Sequence, residues 1–327
     1  MKKLFYLGSI LLMTACTAPQ KEVKTFIAEG NPLITDKFTA DPAPMVHDGT
    51  LYLYVGHDEY YAGQDSASGG KEFNITEWLC YSTKDMKTWT DHGYVLKPTD
   101  FKWAVGEAWA SQVVEKDGKF YYYTTVQAGE PFTGKAVGVA VSDSPTGPFV
   151  DAIGEPLVHD KMTDNGARGW WNDIDPTVLI DGDEAWLCWG NGTCFMAKLK
   201  PNMIELDGEI KVVDVPRFVE GPWLHKKDSL YYLTYASMGM GGENIAYATA
   251  TSMEGPWEYK GELTGSAENS FTIHPGIIEF NDQWYLFYHN AVLTIDGIKG
   301  TIGRRSVCVD KLFYNEDGTM KHVEQTR

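Results

Sequence analysis

The sequence predicts an all-β chain folded as a five-bladed β-propeller, and three observations predict it. Four segments restart alike, with a charged or imidazole residue, a proline, an apolar stretch and a polar turn: Asp41-Pro-Ala-Pro-Met-Val-His-Asp-Gly, Asp175-Pro-Thr-Val-Leu-Ile-Asp-Gly, Glu220-Gly-Pro-Trp-Leu-His and His274-Pro-Gly-Ile-Ile-Glu-Phe-Asn-Asp, with a less regular fifth copy from Trp109. Each restart leads into an alternating aromatic run (51–55, 120–124, 185–189, 230–235 and 284–288), the apolar-turn-aromatic pattern of a hairpin. No long segment carries apolar residues at 3.6-residue spacing, while Asp48-Gly49, Asp117-Gly118, Asp181-Gly182 and Asp317-Gly318 punctuate the short runs.

A later strand follows in each unit, at 78–82, 137–141, 195–198, 245–248 and 305–309. Five units of about four strands form a radial array that leaves only short, protected edges. The innermost strand of each blade lines the central channel, so residues at one register of all five converge on a common axis. Asp41, Asp175, Glu220 and His274 occupy that register. The proline after Asp41, Asp175 and His274 is expected to hold each in extended backbone.

At 327 residues the chain has room for one large β domain. Its 11 Trp, 18 Tyr and 14 Phe suit aromatic strands, and most are expected in blade packing. A formal charge of −17 argues against nucleic acid or an anionic membrane surface as partner and favours a neutral ligand.

Residues 1–15 read as a lipoprotein signal peptide. Lys2 and Lys3 form a basic start, Leu4 to Met13 an apolar core too short to span a bilayer, and Leu12-Met13-Thr14-Ala15-Cys16 resembles the lipobox of bacterial lipoproteins. That resemblance implies lipidation at Cys16 and an exported protein anchored to the cell envelope. Residues 16–30 read as an N-terminal tether and 31–327 as a single propeller. Of the other cysteines, Cys188 and Cys194 flank a Gly-Asn-Gly turn; buried free thiols are expected there, with a bridge across the hairpin as the alternative.

Three acids at one channel mouth suit glycosidic bond cleavage, in which one carboxylic acid protonates the leaving oxygen and one carboxylate activates water or attacks carbon. A third acid can shift the proton donor's pKa and orient it. Taken singly, an Asp-Pro pair is an ordinary turn starter. The joint register of Asp41, Asp175 and Glu220 is what points to chemistry.

The blocks Ala40-Asp41-Pro42-Ala43-Pro44, Asp173-Ile174-Asp175-Pro176 and Val219-Glu220-Gly221-Pro222 resemble the signatures of glycoside hydrolase family 43, together with Trp109-Ala110-Ser111, His274, and Arg305 before Val309-Asp310-Lys311-Leu312. The resemblance runs from about Asn31 to His322. It implies a five-bladed propeller and an inverting reaction, with Asp41 as general base, Glu220 as general acid and Asp175 as the residue that tunes and orients the acid. It also implies that Arg305 binds sugar hydroxyls, although strand alternation alone leaves Arg304 and Arg305 interchangeable. His274 is expected near the axis, contacting a Ca²⁺ ion through water.

Candidate sugar-stacking walls are Trp109, Trp171 and Phe218, with Trp103 and Trp170 behind them. His57 and Asp58 rank below the triad as pocket-edge residues. The compact form resembles exo-acting enzymes that release xylose or L-arabinose from arabinoxylan-type fragments, and the 63–70 insertion and 160–171 loop are expected to wall off a pocket. The alternatives are an endo-α-1,5-L-arabinanase, which needs an open cleft, and a non-catalytic sugar-binding propeller.

Overall fold

The computed structural model describes residues 23–327, and within them the five expected hairpin units become five antiparallel sheets. The signal peptide and Cys16 lie outside the described residues. Blade one runs outward through strands Thr39–His47, Thr50–Asp58, Ile75–Thr83 and Thr88–Leu96, and Lys24–Ile27 adds a fifth strand at its rim. The stretch expected as a tether is therefore partly a strand: Lys24–Ile27 pairs in register with Thr88–Asp91.

Blade two is built on Ser111–Lys116, Lys119–Ala128 and Lys135–Ser142, blade three on Thr177–Asp181, Glu184–Trp189, Cys194–Leu199 and Leu206–Val213. Blade four follows with Phe218–Lys227, Leu230–Met238, Glu243–Ala250 and Glu258–Thr264. Blade five has three strands, Gly276–Phe280, Gln283–Asn290 and Ser306–Leu312. Each innermost strand touches the next around the ring, and that of blade five returns to that of blade one.

The turn signals act as read. Asp48-Gly49 and Asp117-Gly118 both place two residues at positive φ, the geometry whose twist matches a two-residue hairpin. The ring closes through the chain's two ends. Asn31 donates Nδ2 to Val309 O at 3.0 Å and accepts Val309 N at 2.9 Å, while Leu33 N bonds Val307 O and Thr39 N bonds Arg305 O. The 31–39 segment thus lies along the outer strand of blade five, which sets Arg305 beside Asp41.

Apolar burial lies between and within the blades, where Trp78, Trp89 and Trp189 are fully enclosed. Cys188 and Cys194 are buried free thiols with their sulfurs 3.5 Å apart. The one α-helix among the described residues is Gln64–Ser68, inside the blade-one insertion.

Candidate active site

The inner strands reach the channel mouth through backbone irregularities. Pairing shifts between Ala40 and Ala43 in blade one and on both sides of Glu220 in blade four. Asp41 (φ 53°) and Asp175 (φ 59°) are left-handed, not extended as the following prolines suggested. Such conformations cost roughly 1–3 kcal/mol each at non-glycine residues and persist where the surroundings over-determine them. Here neighbouring side chains take up the freed amides: Asp41 N donates to His289 Nδ1 at 3.3 Å and Asp175 N to Thr125 Oγ1 at 2.8 Å. At Asp41 the pairing shift between Ala40 and Ala43 takes the residue out of the ladder, the bend that a bulge gives a strand.

Gly221 follows the same logic. It sits at φ 56°, and a Cβ there would stand 2.9 Å from the His274 ring. Its N–H donates to Asp175 Oδ2 at 3.0 Å, so Asp175 grips the backbone next to Glu220.

His274 lies between the acids. Its Nε2 is 3.2 Å from Glu220 Oε1 and 3.8 Å from Asp175 Oδ2, and its Nδ1 is 3.1 Å from Asp41 Oδ1, though out of line for a hydrogen bond. Burial alone would make the ring neutral; the charges of Asp41 and Asp175 and the bond to Glu220 reverse this and push its pKa up to about 10. Burial and the charges of Glu220 and Asp41 raise Asp175 to about 7, against the opposing pull of His274 and the Gly221 amide. The Asp41 carboxyl is pulled below its usual range: burial works against ionisation, but Arg305, His274 and His289 outweigh it.

Arg305 is the inward-facing arginine. It donates Nη1 to Asp41 Oδ1 at 2.9 Å, Nε to Asp58 Oδ2 at 2.9 Å and Nη2 to Asp58 Oδ1 at 3.0 Å, all buried. Since Arg305, His274 and His289 converge on Oδ1 of Asp41, its Oδ2 is the oxygen turned over to other uses. Arg304 points the opposite way, to Gln64 and Asp65. Glu220 Oε2 accepts Asn191 Nδ2 at 2.7 Å.

The pocket over these groups is lined by Phe73, Ile75, Trp109, Trp171, Ile174 and Thr272. Trp109 and Trp171 meet at 5.0 Å between ring centroids. Lys135, almost fully buried, holds its ammonium 3.7 Å from the Trp109 ring centroid and pairs with Glu107. Three other aromatic candidates fall outside the pocket. Phe218 packs on Tyr235 within blade four, Trp103 lies in the core with its indole N–H on Asp151, and Trp170 is exposed behind Trp171. His57 pairs with Glu77 in blade one, outside the pocket lining, whereas Asp58 is the buried anchor of Arg305.

The residues that sequence reading missed share one signal. Thr125, Asn191 and His289 come at or just beyond the aromatic second strands of blades two, three and five, as Asp58 does in blade one. That position forms a second polar ring around the acids.

Below the acids the channel axis is narrow. The cavity below the acids, bordered by Asp41, Ser111, Asp175, His274 and the prolines of the inner strands, has a volume of about 20 Å³. That is room for roughly one water. Asp175, Glu220 and His274 do bring ligand atoms within 4.8 Å of one another. These are the described residues at the site that could hold a cation. His274 contacts Glu220 directly, at 3.2 Å.

Two carboxyl groups set on opposite sides of one imidazole, one of them held ionised beneath a tryptophan-walled pocket, are the apparatus for cleaving a bond between sugars, and they define a glycoside hydrolase. The particular family follows from the chain as a whole: residues 30–320 match the profile of the glycosyl hydrolases family 43, and the chain belongs to that family. Its reaction inverts anomeric configuration.

A xylosidase/arabinosidase of Bacteroides ovatus is 30% identical over 338 residues, spanning 89% of this chain and 97% of that protein. An arabinoxylan arabinofuranohydrolase of Bacillus subtilis (strain 168) is 28% identical over 353 residues, 95% of this chain and 67% of that protein. Among solved structures, a family 43 β-xylosidase/α-arabinofuranosidase from a compost microbial metagenome, crystallised with xylotriose, superposes with a TM-score of 0.77 at 28% identity, covering 92% of this chain and 98% of that one.

Proposed function

We propose that this enzyme releases terminal xylose, L-arabinose or both from arabinoxylan-type oligosaccharides by single-displacement hydrolysis. The observation that carries the mechanism is the placement of His274 between Asp41 and Glu220, which holds the two carboxyls apart in the lining of one pocket. One imidazole plus two polar contacts is compatible with the roughly 6.5–9.5 Å separation of inverting enzymes, which leaves room for a water.

Asp41, held ionised by Arg305 and the two histidines, accepts a proton from that water through Oδ2 as the water oxygen bonds to the anomeric carbon. On the opposite face Glu220 gives its proton to the glycosidic oxygen as the bond to carbon breaks. Asp41 ends protonated and Glu220 ionised, and exchange with solvent restores both. Asp175 positions Glu220 through the Gly221 amide. The cationic His274 balances the three acids without supplying a proton to the sugar. Arg305 and the Trp109–Trp171 wall bind hydroxyls and ring faces.

Support for a pentose comes from the named activities of the relatives and from the xylotriose bound in the structural neighbour. Support for exo action comes from Phe73 and Trp171, which close the pocket from blades one and three. The test is hydrolysis of nitrophenyl xyloside, nitrophenyl arabinofuranoside and arabinoxylan oligosaccharides with identification of the sugar released; no xylose and no arabinose from any of them defeats the proposal.

For localisation, Lys2-Lys3, the apolar stretch and Cys16 support an exported, lipid-anchored envelope protein. Mass spectrometry of the mature N-terminus checks this: a diacylated Cys16 is expected, and an unmodified Met1 contradicts it.

A further inference from the structure

Arg304 is one of the most deeply buried side chains in the protein, yet it touches no catalytic group. Its guanidinium joins two insertions from opposite ends of the chain. Nη1 donates to Gln64 Oε1 at 2.6 Å, Nη2 to Asp65 Oδ1 at 2.6 Å, and Nε to Lys299 O at 2.9 Å. Gly303 N and the Thr301 hydroxyl both donate to Gly70 O beside it. The fit leaves no slack: a Cβ on Gly303 would lie 2.1 Å from Glu72 O, and one on Gly70 would lie 2.9 Å from Arg304 Nη2.

The contact network runs on toward the site. Gln64 Nε2 donates to Glu72 O at 3.0 Å, which fixes the residue just before Phe73. Phe73 lines the pocket, packs its ring at 6.2 Å against Trp109 and receives the Arg305 guanidinium 4.8 Å from its centroid. Beyond the latch, the segment that carries Phe73 is tied back within blade one, by Glu59 N to Asn74 O at 2.8 Å, Asn74 Nδ2 to Glu59 O at 3.0 Å and the Tyr61 hydroxyl to Glu72. Its helix is five residues long, and Gln64 is the buried residue in it. Arginine suits this junction because its planar fork satisfies three acceptors in fixed directions, which an ammonium cannot do.

We propose that Arg304 is a specificity-determining positioning residue, latching the 60–72 insertion of blade one onto the 293–303 loop of blade five so that Phe73 closes one side of the pocket and admits only the terminal sugar of a chain. The proposal rests on the exo-acting pentosidase reading above. With the latch broken, the blade-one wall swings free, the pocket opens toward a cleft, and longer or internally substituted chains gain relative to small glycosides. The acids stay in place because none of their contacts involves Arg304.

The test compares wild type with Arg304→Met, Asp65→Ala and Phe73→Ala. On nitrophenyl xyloside the Arg304 variant is expected to raise KM about tenfold with kcat within about threefold, and to raise the ratio of activity on long or internally branched arabinoxylan to activity on xylobiose. Arg304→Met added to Phe73→Ala is expected to cost little more than Phe73→Ala alone, since both act through one wall. Equal losses on every substrate, or additive effects of the two changes, overturn the proposal.

Limited proteolysis reads the latch without turnover: cleavage within 60–72 should rise in Arg304→Met and in Asp65→Ala, and unchanged resistance in both is also an overturning result. Asp65 is exposed at its far side, so Asp65→Ala keeps the test open if Arg304→Met does not fold. Wild type inactive on every pentoside strikes the functional reading, whereas an active wild type with an unchanged substrate ratio in Phe73→Ala and Asp65→Ala strikes the latch.

Discussion

Arg305 and Asp41 form a buried ion pair at 2.9 Å between residues 264 positions apart, the strand that ends the propeller closing on the motif that begins it. Asp41, the proposed base, is therefore held ionised by the same contact that seals the ring. Asp58 accepts from the other two guanidinium nitrogens, so the arginine is held from both sides.

Arg305→Met should damage both stability and pH response. It strands two buried carboxylates, a defect of about 3–5 kcal/mol for a broken buried pair. It also removes the leading charge that depresses the Asp41 pKa, so Asp41 protonates at higher pH and the acid limb of kcat/KM moves up. A pH–rate profile checks the direction.

Asp175→Asn retains an oxygen for the Gly221 amide but removes charge beside Glu220 and His274. The expected outcome is a fall in kcat of about 10²-fold, within the ordinary range of acid catalysis, with KM little changed. The loss should shrink for dinitrophenyl leaving groups, which need little protonation. A constant loss across leaving groups argues against a role through the acid.

Glu243 makes a separate prediction about stability. Buried in blade four and accepting the Ile273 amide at 3.2 Å, it is pushed up to about 9 by burial and by the charge of Glu220, with His274 opposing. An unfolded glutamate ionises near pH 4.3. The folded state therefore holds a proton that the unfolded state has lost, and this contribution to stability fades as pH rises from about 4.3 through 9. Glu243→Gln should flatten that decline, and denaturant melts at pH 5 and pH 8 should show its advantage only at the higher pH.

Trp109 and Trp103 test whether the walls are correctly divided. Trp109→Ala should raise KM for xylosides by about tenfold or more, because its ring faces the pocket. Trp103→Ala should leave KM unchanged and destabilise the fold by roughly 3–5 kcal/mol, as core tryptophan losses do.

The blades, their turns and the acids were legible because each rests on a local signal that recurs along the chain: four Asp-Gly turns, five alternating aromatic runs, and a charged or imidazole residue at one register in four of the five restarts. The backbone at Asp41 and Asp175 was not. A following proline disfavours helical backbone but says nothing of a bulge, and the left-handed geometry depends on His289 and Thr125, which come from other blades. The two adjacent arginines show the same limit. Alternation says that one faces inward; which one depends on Asp41 and Asp58, over 200 residues away. Phe218 failed as a wall because its neighbour Tyr235 lies across the hairpin, a contact invisible in the sequence.

The central claim is that Asp41 and Glu220 act from opposite faces of the sugar, with water activated by one and the leaving oxygen protonated by the other. Proton NMR of the first sugar released, taken before mutarotation, tests it most directly. From a β-xyloside the account predicts α-xylose as the first-formed anomer. β-Xylose appearing first would mean a covalent intermediate and a retaining reaction, and would contradict the assignment of Asp41 as a base acting through water.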